Sequence, residues 1–255
     1  MLKRVIARMD VKGEHLVKGL QLEGLRKIGD PLEFAEKYYL DGADEVVIVD
    51  VVASLYSRAN LYNIISYITS NLRIPVTVVG GIKNMDDAKK VFSSGADKVG
   101  INSAATRNVE FLQQIANLYG AQAVVSSIEA KYLQEKNEWY LFTESGRNNS
   151  GISLPVWLSK LQDLEIGEVL ITSVDRDGMK TGPDLNLIKK ARDMVPNPLL
   201  YSGGISTLNQ LEEAMLCDID GVLLGSSLHY GIMTIQKSKR HLVGLGYPIR
   251  VTELL

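Results

Sequence analysis

Two acidic residues, Asp10 and Glu129, stand where carboxylates could carry out acid–base chemistry. Each ends a short run of apolar and β-branched residues, which is the pattern of a buried strand. The two runs resemble each other, so the acids occupy equivalent places in a repeated unit. Opposed carboxylates suit general acid and base catalysis, because each can serve a different face of a reacting centre. The alternative is that both are rim residues paired with the nearby Lys12 and Lys131.

Glycine pairs and small polar residues form two sets, which we call the first and the second cradle. The first cradle comprises Gly80, Gly81, Asn102 and Ser103, and the second comprises Gly203, Gly204, Gly225 and Ser226. Glycine lets the backbone approach an anion without a Cβ in the way. Ser103 and Ser226 stand where a helix would begin, and helix amino termini favour phosphate. One copy alone could be a tight strand-to-helix turn, but two copies favour a substrate with a phosphate at each end.

Further polar residues are expected to line the same rim as the cradles. They are Lys18, Asp50, Thr172, Asp177, Gly178 and Ser202. Lys18 falls within residues 11–30, which show no clear element and are therefore interpreted as a functional lid. Lys18 could equally be a solvated surface lysine, and Asp177-Gly178 could be an ordinary turn.

Strand-like runs alternate with amphipathic helical segments along the chain. The predicted strands are residues 4–10, 45–50, 75–79, 98–101, 123–129, 168–173, 198–202 and 221–224. The predicted helices are residues 31–40, 61–71, 85–94, 109–118, 155–164, 185–193, 208–216 and 232–242. This alternation indicates a parallel sheet with helical crossovers. Eight units in 255 residues favour a single (β/α)8 TIM barrel, an α/β fold, over residues 1–255.

An internal repeat supports the closed barrel. Residues 74–82 resemble residues 197–205, and residues 45–47 resemble residues 168–170 at the same offset. Two (β/α)4 halves would place the first and fifth strands opposite each other, and the two cradles at opposite rims. Active sites of such barrels lie at the carboxyl ends of the strands, so the cradles and the acids should share one mouth.

Four charged residues begin strands at the other end of the predicted barrel. They are Arg4, Glu45, Lys98 and Glu168. Two positive and two negative charges would meet at the bottom of the bore. A salt-bridge plug that stabilises the barrel and a gate that closes the bore are both compatible with this spacing.

Composition excludes several classes of protein. Hydrophobic residues make up 45% and charged residues 23% of the chain, and the net charge is −2. Nothing in this balance points to nucleic acid or to an anionic membrane, and no apolar run is long enough to span a bilayer. Cys217 is the one cysteine and is interpreted as a small buried hydrophobe. We expect a cytoplasmic protein.

Several motifs carry a resemblance to a known family. They are Asp10-Val11-Lys12 with Val17-Lys18-Gly19, Gly29-Asp30-Pro31, Val79-Gly80-Gly81-Ile82, Gly95-Ala96-Asp97-Lys98-Val99 and Thr172-Ser173-Val174-Asp175-Arg176-Asp177-Gly178. Together they resemble the cyclase subunit of imidazole glycerol phosphate synthase, a step in histidine biosynthesis. The resemblance covers essentially the whole chain.

The resemblance implies a function and a partner. A glutaminase subunit would dock at the amino-terminal face of the barrel as a heterodimer, and its ammonia would pass the charged ring, which becomes a gate. Ammonia would attack a bis-phosphorylated ribulosyl aminoimidazole carboxamide ribonucleotide, giving imidazole glycerol phosphate and aminoimidazole carboxamide ribonucleotide. No cofactor and no metal are implied. Asp10 would assist ring closure, Glu129 would be the second acid–base residue, and Lys18 would be the lid lysine.

The chain departs from the family pattern close to the expected chemistry. Glu129 stands where the family has Asp, Met9 where it usually has a small Cys, and Val79 where it usually has Gly; Ala7-Arg8 also differs. These departures keep two alternatives open. The first is a paralogue whose ammonia serves amidation of a surface-polysaccharide sugar. The second is a non-catalytic barrel that docks and activates a glutaminase. The isomerase that precedes the cyclase shares the barrel and the repeat, but the charged ring favours the cyclase type.

Overall fold

The computed structural model describes residues 2–51 and 58–251, so part of the predicted domain over residues 1–255 lies outside the described residues. The strands are β1 (Arg4–Lys12), β2 (His15–Leu20), β3 (Glu23–Gly29), β4 (Val46–Asp50), β5 (Val76–Val79), β6 (Lys98–Ile101), β7 (Val124–Leu133), β8 (Glu138–Thr143), β9 (Asn148–Ser153), β10 (Glu168–Ser173), β11 (Leu199–Ser202) and β12 (Gly221–Leu224). The helices are α1 (Pro31–Leu40), α2 (Arg58–Asn71), α3 (Met85–Ser93), α4 (Ser103–Arg107), α5 (Glu110–Tyr119), α6 (Leu154–Leu161), α7 (Leu185–Met194), α8 (Leu208–Met215), α9 (Ser226–His229) and α10 (Ile235–Gly244).

Eight parallel strands close into a barrel, which confirms the predicted (β/α)8 fold. Their order is β1, β4, β5, β6, β7, β10, β11 and β12, and β12 pairs back onto β1. In this order β1 lies opposite β7, β5 lies opposite β11, and β6 lies opposite β12. The two acids therefore come from facing strands, and the two cradles follow facing pairs of strands.

Inward-facing apolar side chains fill the bore below the mouth. They are Ile6, Val47, Val49, Val51, Val79, Val125, Leu170, Leu200 and Leu223, joined by Val17 from β2. Burial of each such side chain stabilises the fold by about 1.5–3 kcal/mol. Successive side chains of a strand point to opposite faces, so β1 carries Arg4, Ile6, Arg8 and Asp10 on its inner face. The outward-facing residues of the strands belong to the larger core cluster beneath the helices.

Polar caps fix where several helices begin. Asp30 accepts from the amide of Leu32 at the start of α1, with Pro31 at the first helical position. Thr207 and Gln210 form a capping box at the start of α8. Thr234 caps α10, which explains why that helix begins at Ile235, a few residues later than the predicted 232. Helix α1 has the bounds that the sequence predicts.

Residues 11–30 form strands rather than the predicted loop. Strand β1 runs on to Lys12 and pairs with antiparallel β2, which in turn pairs with β3. The hairpin between β2 and β3 turns at Gln21 and Leu22, whose φ angles are 50° and 65°. Such a turn normally carries Asn or Gly, so the residue types gave no turn signal. The interpretation as a loop without elements was wrong.

A second antiparallel extension, which the sequence did not predict, grows from the opposite strand. Strand β7 runs beyond Glu129 to Leu133 and pairs with β8, and β8 pairs with β9. The two ribbons thus stand on facing strands, one above each acid.

Cys217 is buried, as predicted. Across residues 2–51 and 58–251, no helix combines the length and the apolar character needed to cross a membrane.

Candidate active site

The first cradle opens into a cavity of about 570 Å³ at the barrel mouth. Five of the predicted rim residues line it: Asp50, Gly80, Gly81, Asn102 and Ser103. Asn102 donates from Nδ2 to the carbonyl of Phe142 at 3.0 Å, while its buried Oδ1 meets no partner among the described residues. The residues of the predicted first cradle therefore line one open cavity.

Glycine is required where the first cradle turns. Gly80 has a φ of +89°, and a Cβ there would lie 2.5 Å from the carbonyl oxygen of Asp50. A side chain would clash with the backbone as well as strain it. The sequence signal of paired glycines thus reports a real constraint on the backbone at this rim.

Three cations that no sequence motif singles out line the same cavity. They are Lys83, Arg107 and Arg147. None of the three forms an ion pair with a described carboxylate. Unpaired cations beside a glycine-rich rim are suited to an anionic ligand, because Arg binds phosphate oxygens in a bidentate manner.

Glu129 lies at the inner wall of this cavity. The amide of Gly146, from the turn between β8 and β9, donates to its Oε2 at 2.8 Å. Burial raises the pKa of Glu129 to about 7, against the opposing effects of the Gly146 amide and of Arg8. A carboxyl group with this pKa can both donate and accept a proton near neutral pH.

Asp10 sits in a closed cluster of charges, although it comes from the strand facing Glu129. Its Oδ1 accepts from Nε of Arg8 at 2.8 Å and its Oδ2 accepts from Nζ of Lys18 at 2.7 Å. Lys18 also donates to both carboxylate oxygens of Asp177, at 2.9 and 3.0 Å. All four side chains are buried. Lys18 is therefore a buried strand residue and not the solvated surface lysine of the alternative interpretation.

The two acids differ sharply in their protonation. Burial alone would raise the pKa of Asp10, but the charges of Arg8 and Lys18 outweigh it and hold that pKa far below its usual value. Asp10 is thus ionised at neutral pH, whereas Glu129 is poised between its two forms. The alternative pairing with Lys12 and Lys131 is wrong, because the partners of Asp10 are Arg8 and Lys18. The ammonium of Lys131 lies 5.4 Å from the ring centre of Phe142.

The second half of the mouth is occupied by protein side chains. Arg8 donates from Nη1 to the hydroxyls of Ser202 at 3.0 Å and Thr172 at 3.3 Å. These two predicted binding residues therefore hold an arginine. Gly204, with a φ of +79°, has the carbonyl oxygen of Gly182 2.1 Å from where its Cβ would be. As in the first cradle, only glycine fits here.

The remaining members of the second cradle adjoin two orphaned polar atoms. Gly225 precedes Ser226 at the start of α9. The hydroxyl of Ser227 and Nε2 of His229 are buried and meet no hydrogen-bond partner among the described residues. Nδ1 of His229 lies 2.6 Å from the Tyr38 hydroxyl, and burial lowers the pKa of His229 to about 4, so the ring is neutral.

Gly178 supports the site through the backbone. Its φ is +73°, and a Cβ would lie 2.4 Å from the carbonyl oxygen of Gly19 on β2. The carbonyl of Asp177 accepts from the amide of Gln21 at 2.8 Å. The segment after β10 therefore packs against the β2–β3 hairpin, and this contact sets Asp177 against Lys18.

The four predicted ring residues meet at the opposite end of the bore. Arg4 donates to Glu45 at 3.0 Å and to Glu168 at 2.8 Å, while Lys98 lies 3.0 Å from each of these carboxylates. Thr77 also donates to Glu45. Cations and carboxylates thus alternate around a closed ring. Arg4, Lys98 and Glu168 also line an outer cavity of about 560 Å³ on this face.

Sequence reasoning missed several residues at the mouth, and Arg8 is the most prominent. One signal could have found it: Arg8 shares the inward period-two positions of β1 with Arg4 and Asp10. Gly146 carried no such signal, because it reaches Glu129 through a ribbon that the sequence did not predict. Within the part of the chain that is described, no group of three or more His, Cys, Asp or Glu side chains is placed to hold a metal ion.

Comparisons with known proteins agree with this geometry. Residues 4–234 match the family described as histidine biosynthesis protein. The chain is 45% identical to the imidazole glycerol phosphate synthase subunit HisF of Legionella pneumophila over 207 residues, which cover 81% of this chain and 97% of the relative. It is 38% identical to the protein of the same name from Lactococcus lactis subsp. cremoris over 252 residues, covering 98% of this chain and 97% of the relative.

Proposed function

This chain belongs to the histidine biosynthesis protein family, and from that membership we propose that it is the cyclase subunit of imidazole glycerol phosphate synthase. It converts a bis-phosphorylated ribulosyl aminoimidazole carboxamide ribonucleotide and ammonia to imidazole glycerol phosphate and aminoimidazole carboxamide ribonucleotide. Both relatives are named as subunits of this synthase and align over nearly their whole length.

One observation supports the substrate most strongly. The two glycine-rich cradles follow strands that face each other, β5 and β6 on one side and β11 and β12 on the other. The two carboxylates come from the facing strands β1 and β7 and lie between the cradles. A molecule with a phosphate at each end would span such a mouth and bring its centre to the acids. The cavity of about 570 Å³ beside the first cradle supplies space for one end of that molecule.

The acids divide the proton transfers between them. Addition of ammonia to the ribulosyl carbonyl, cleavage of the bond to the departing ribonucleotide and closure of the imidazole ring each move protons. Glu129, with its pKa of about 7, donates and accepts them. Asp10 remains ionised and acts as the base or as a fixed negative charge beside positive charge that develops on the substrate. Lys18 holds Asp10 in place.

A glutaminase partner supplies the ammonia in this proposal. The partner would dock on the amino-terminal face, where the outer cavity meets the charged ring, and the ring would act as the gate into the bore. Above the ring the bore is lined by apolar residues, including Ile6, Val125 and Leu170, which would not bind a small neutral molecule strongly. A cytoplasmic location suits this biosynthetic role.

Two features of the mouth bear on the alternative functions. Arg8 engages Asp10, and Glu129 is one methylene longer than the Asp that the family resemblance implies. Neither feature favours the alternative in which the ammonia serves amidation of a surface-polysaccharide sugar, and the names of both relatives support the cyclase instead.

A turnover assay tests the proposal. Purified full-length protein is mixed with the ribulosyl intermediate and an ammonium salt, and formation of aminoimidazole carboxamide ribonucleotide is followed. Turnover at a rate typical of enzymes, about 1 s⁻¹ or faster at saturation, supports the cyclase. Tight binding without turnover, together with stimulation of an added glutaminase, would instead favour the docking module. Neither binding nor turnover would leave the amidation paralogue as the better account.

A further inference from the structure

The inner walls of the two halves carry different side chains at equivalent positions. Thr172, one residue before the end of β10, corresponds in the repeat to Val49, one residue before the end of β4. Ser202, which ends β11, corresponds to Val79, which ends β5. The repeat that relates residues 5–12 to residues 124–131 pairs Arg8 with Ser127. The wall beside the first cradle thus has two apolar residues and, from the neighbouring strand β7, a small serine. The wall beside the second cradle has two hydroxyls and, from the neighbouring strand β1, an arginine.

These three differences depend on one another, because the two hydroxyls hold the arginine. The hydroxyls of Thr172 and Ser202 both accept from Nη1 of Arg8, whereas valines at those positions could accept nothing. Ser202 directly precedes Gly203, and the Cβ of Arg8 lies 3.9 Å from the position that a Cβ of Gly225 would take. The arginine therefore lies at the foot of the second cradle, next to both of its glycine segments.

Arg8 has hydrogen-bonding capacity to spare. Nε donates to Asp10 and Nη1 donates to the two hydroxyls. Nη2 carries two further N–H groups, and no acceptor meets them among the described residues. The side chain is only 4% exposed, so unused donors here are costly unless a ligand receives them.

Only the positive charge of Arg8 makes this buried cluster able to accept a further anion. Arg8 and Lys18 face Asp10 and Asp177, with Nη1 of Arg8 3.8 Å from Asp177. Without Arg8 the cluster would hold one cation and two carboxylates, and it would repel a phosphoryl group. With Arg8 the formal charges cancel, and a planar guanidinium faces the incoming oxygens.

We propose that Arg8 is a specificity-determining residue, which binds an anionic oxygen of the substrate end at the second cradle and fills the space that stays open in the first half. This inference rests on the proposed function, because that function assigns a phosphoryl group to the second cradle. It places the bulky reacting part of the substrate in the first half, beside Glu129, and admits only a compact anionic end beside Arg8.

Titration of the full-length protein with inorganic phosphate, followed by calorimetry, tests this assignment. The wild type is expected to show two classes of site, one for each cradle. Arg8→Met keeps the length of the side chain but removes its charge, and it should weaken one class at least about tenfold while leaving the other within about twofold. Arg107→Met should weaken the other class. Lys89→Met, which also replaces a cation by Met but at an exposed position on α3, should alter neither.

Three results would overturn the assignment. They are a single class of sites in the wild type, two unchanged classes in Arg8→Met, or an equal weakening of both classes by that variant. If Arg8→Met does not fold, Arg8→Lys decides. It keeps the charge but not the planar fork, so it should weaken the same single class about threefold or more, and unchanged affinity would reject the proposal.

The experiment separates this inference from the proposed function. Phosphate titration needs no turnover, so a wild type that fails to convert the ribulosyl intermediate counts against the cyclase alone. A wild type that does convert it, combined with unchanged phosphate binding in Arg8→Met, counts against Arg8 alone. The KM for the intermediate should rise in Arg8→Met by the same factor as the weakened phosphate class.

Discussion

The two halves of the barrel mouth share a backbone plan but differ in how their charges are paired. In the first half, three cationic side chains line an open cavity and meet no carboxylate among the described residues. In the second half, Arg8 and Lys18 are bound to Asp10 and Asp177 within the protein. The first half is ready to receive an anion. The second half already pairs its charges within the protein, and Nη2 of Arg8 is where donors remain for a ligand.

This difference shows that a repeated fold does not impose repeated chemistry. The glycines of both cradles are fixed by close backbone contacts, at Gly80 and at Gly204. Side chains at the strand ends are under no such constraint, and there the halves diverge. Breaking a buried ion pair is costly because it leaves a charge without its partner. A ligand that enters the second half must therefore leave the ion pairs of Arg8 and Lys18 in place or supply a replacement anion, whereas a ligand in the first half meets no such pairs.

The largest expected effect comes from removing the charge at the centre of the closed network. Asp10→Asn leaves Arg8 and Lys18 without the negative charge that they share, and we expect turnover of the ribulosyl intermediate to fall by about 1000-fold or more. Phosphate binding at the first cradle should remain nearly intact. The measurement is kcat with saturating ammonium salt, with the exposed Asp86→Asn as the matched control. A variant that keeps the full rate would remove Asp10 from the mechanism.

Turnover should also depend on pH through Glu129, which lies in the open first half of the mouth. Glu129 is protonated below a pKa of about 7, so a rate that depends on its acid form should fall as pH rises through 7. Glu129→Gln should lower kcat by about 100-fold and abolish that limb of the profile. The profile is recorded from pH 5.5 to 8.5. A limb that persists in the variant would belong to another group.

A smaller effect is expected from shortening the same side chain. Glu129→Asp restores the residue that the family resemblance implies, and it should raise cyclase turnover about tenfold if the longer side chain misplaces the carboxylate by about 1 Å. The Gly146 amide would lose part of its contact with the shorter group. Initial rates of the two proteins at equal concentration decide the matter, and an unchanged rate rejects the misplacement account.

The smallest expected effect concerns stability. The pKa of Glu129 is raised on folding from 4.5 to about 7, so the folded state binds the proton more tightly than the unfolded state. The contribution of this group to the free energy of unfolding is therefore present below pH 4.5 and is lost as pH rises through 7. Glu129 lines an open cavity, so solvent screens part of its charge, and we expect a loss of about 1 kcal/mol.

Glu129→Gln should remove that pH dependence. Urea unfolding of both proteins at pH 5 and pH 8 measures it. The wild type should lose more stability than the variant between the two values, and parallel behaviour of the two proteins would show that Glu129 is not the group responsible.

The sequence predicts most of the barrel strands and about half of the residues that meet at the mouth. Period-two apolar runs place the strands and glycine pairs place the cradles, because both patterns are local. The ribbon turn at Gln21 and Leu22 was not predictable, since its positive φ angles are imposed by strand pairing rather than by residue type. The partners of Arg8 were equally hidden, because Thr172 and Ser202 are far from it in sequence.

The charged ring at the bottom of the bore would treat ammonia and ammonium differently. Its two cations and two carboxylates cancel, so an ammonium ion gains nothing by entering unless it displaces Arg4 or Lys98 from the carboxylates. A neutral molecule meets no such competition. In the proposed route the ring would therefore act as a filter for charge state, which admits ammonia and turns away ammonium. Nitrogen that arrives this way would be neutral, so it could add to a carbonyl without first losing a proton.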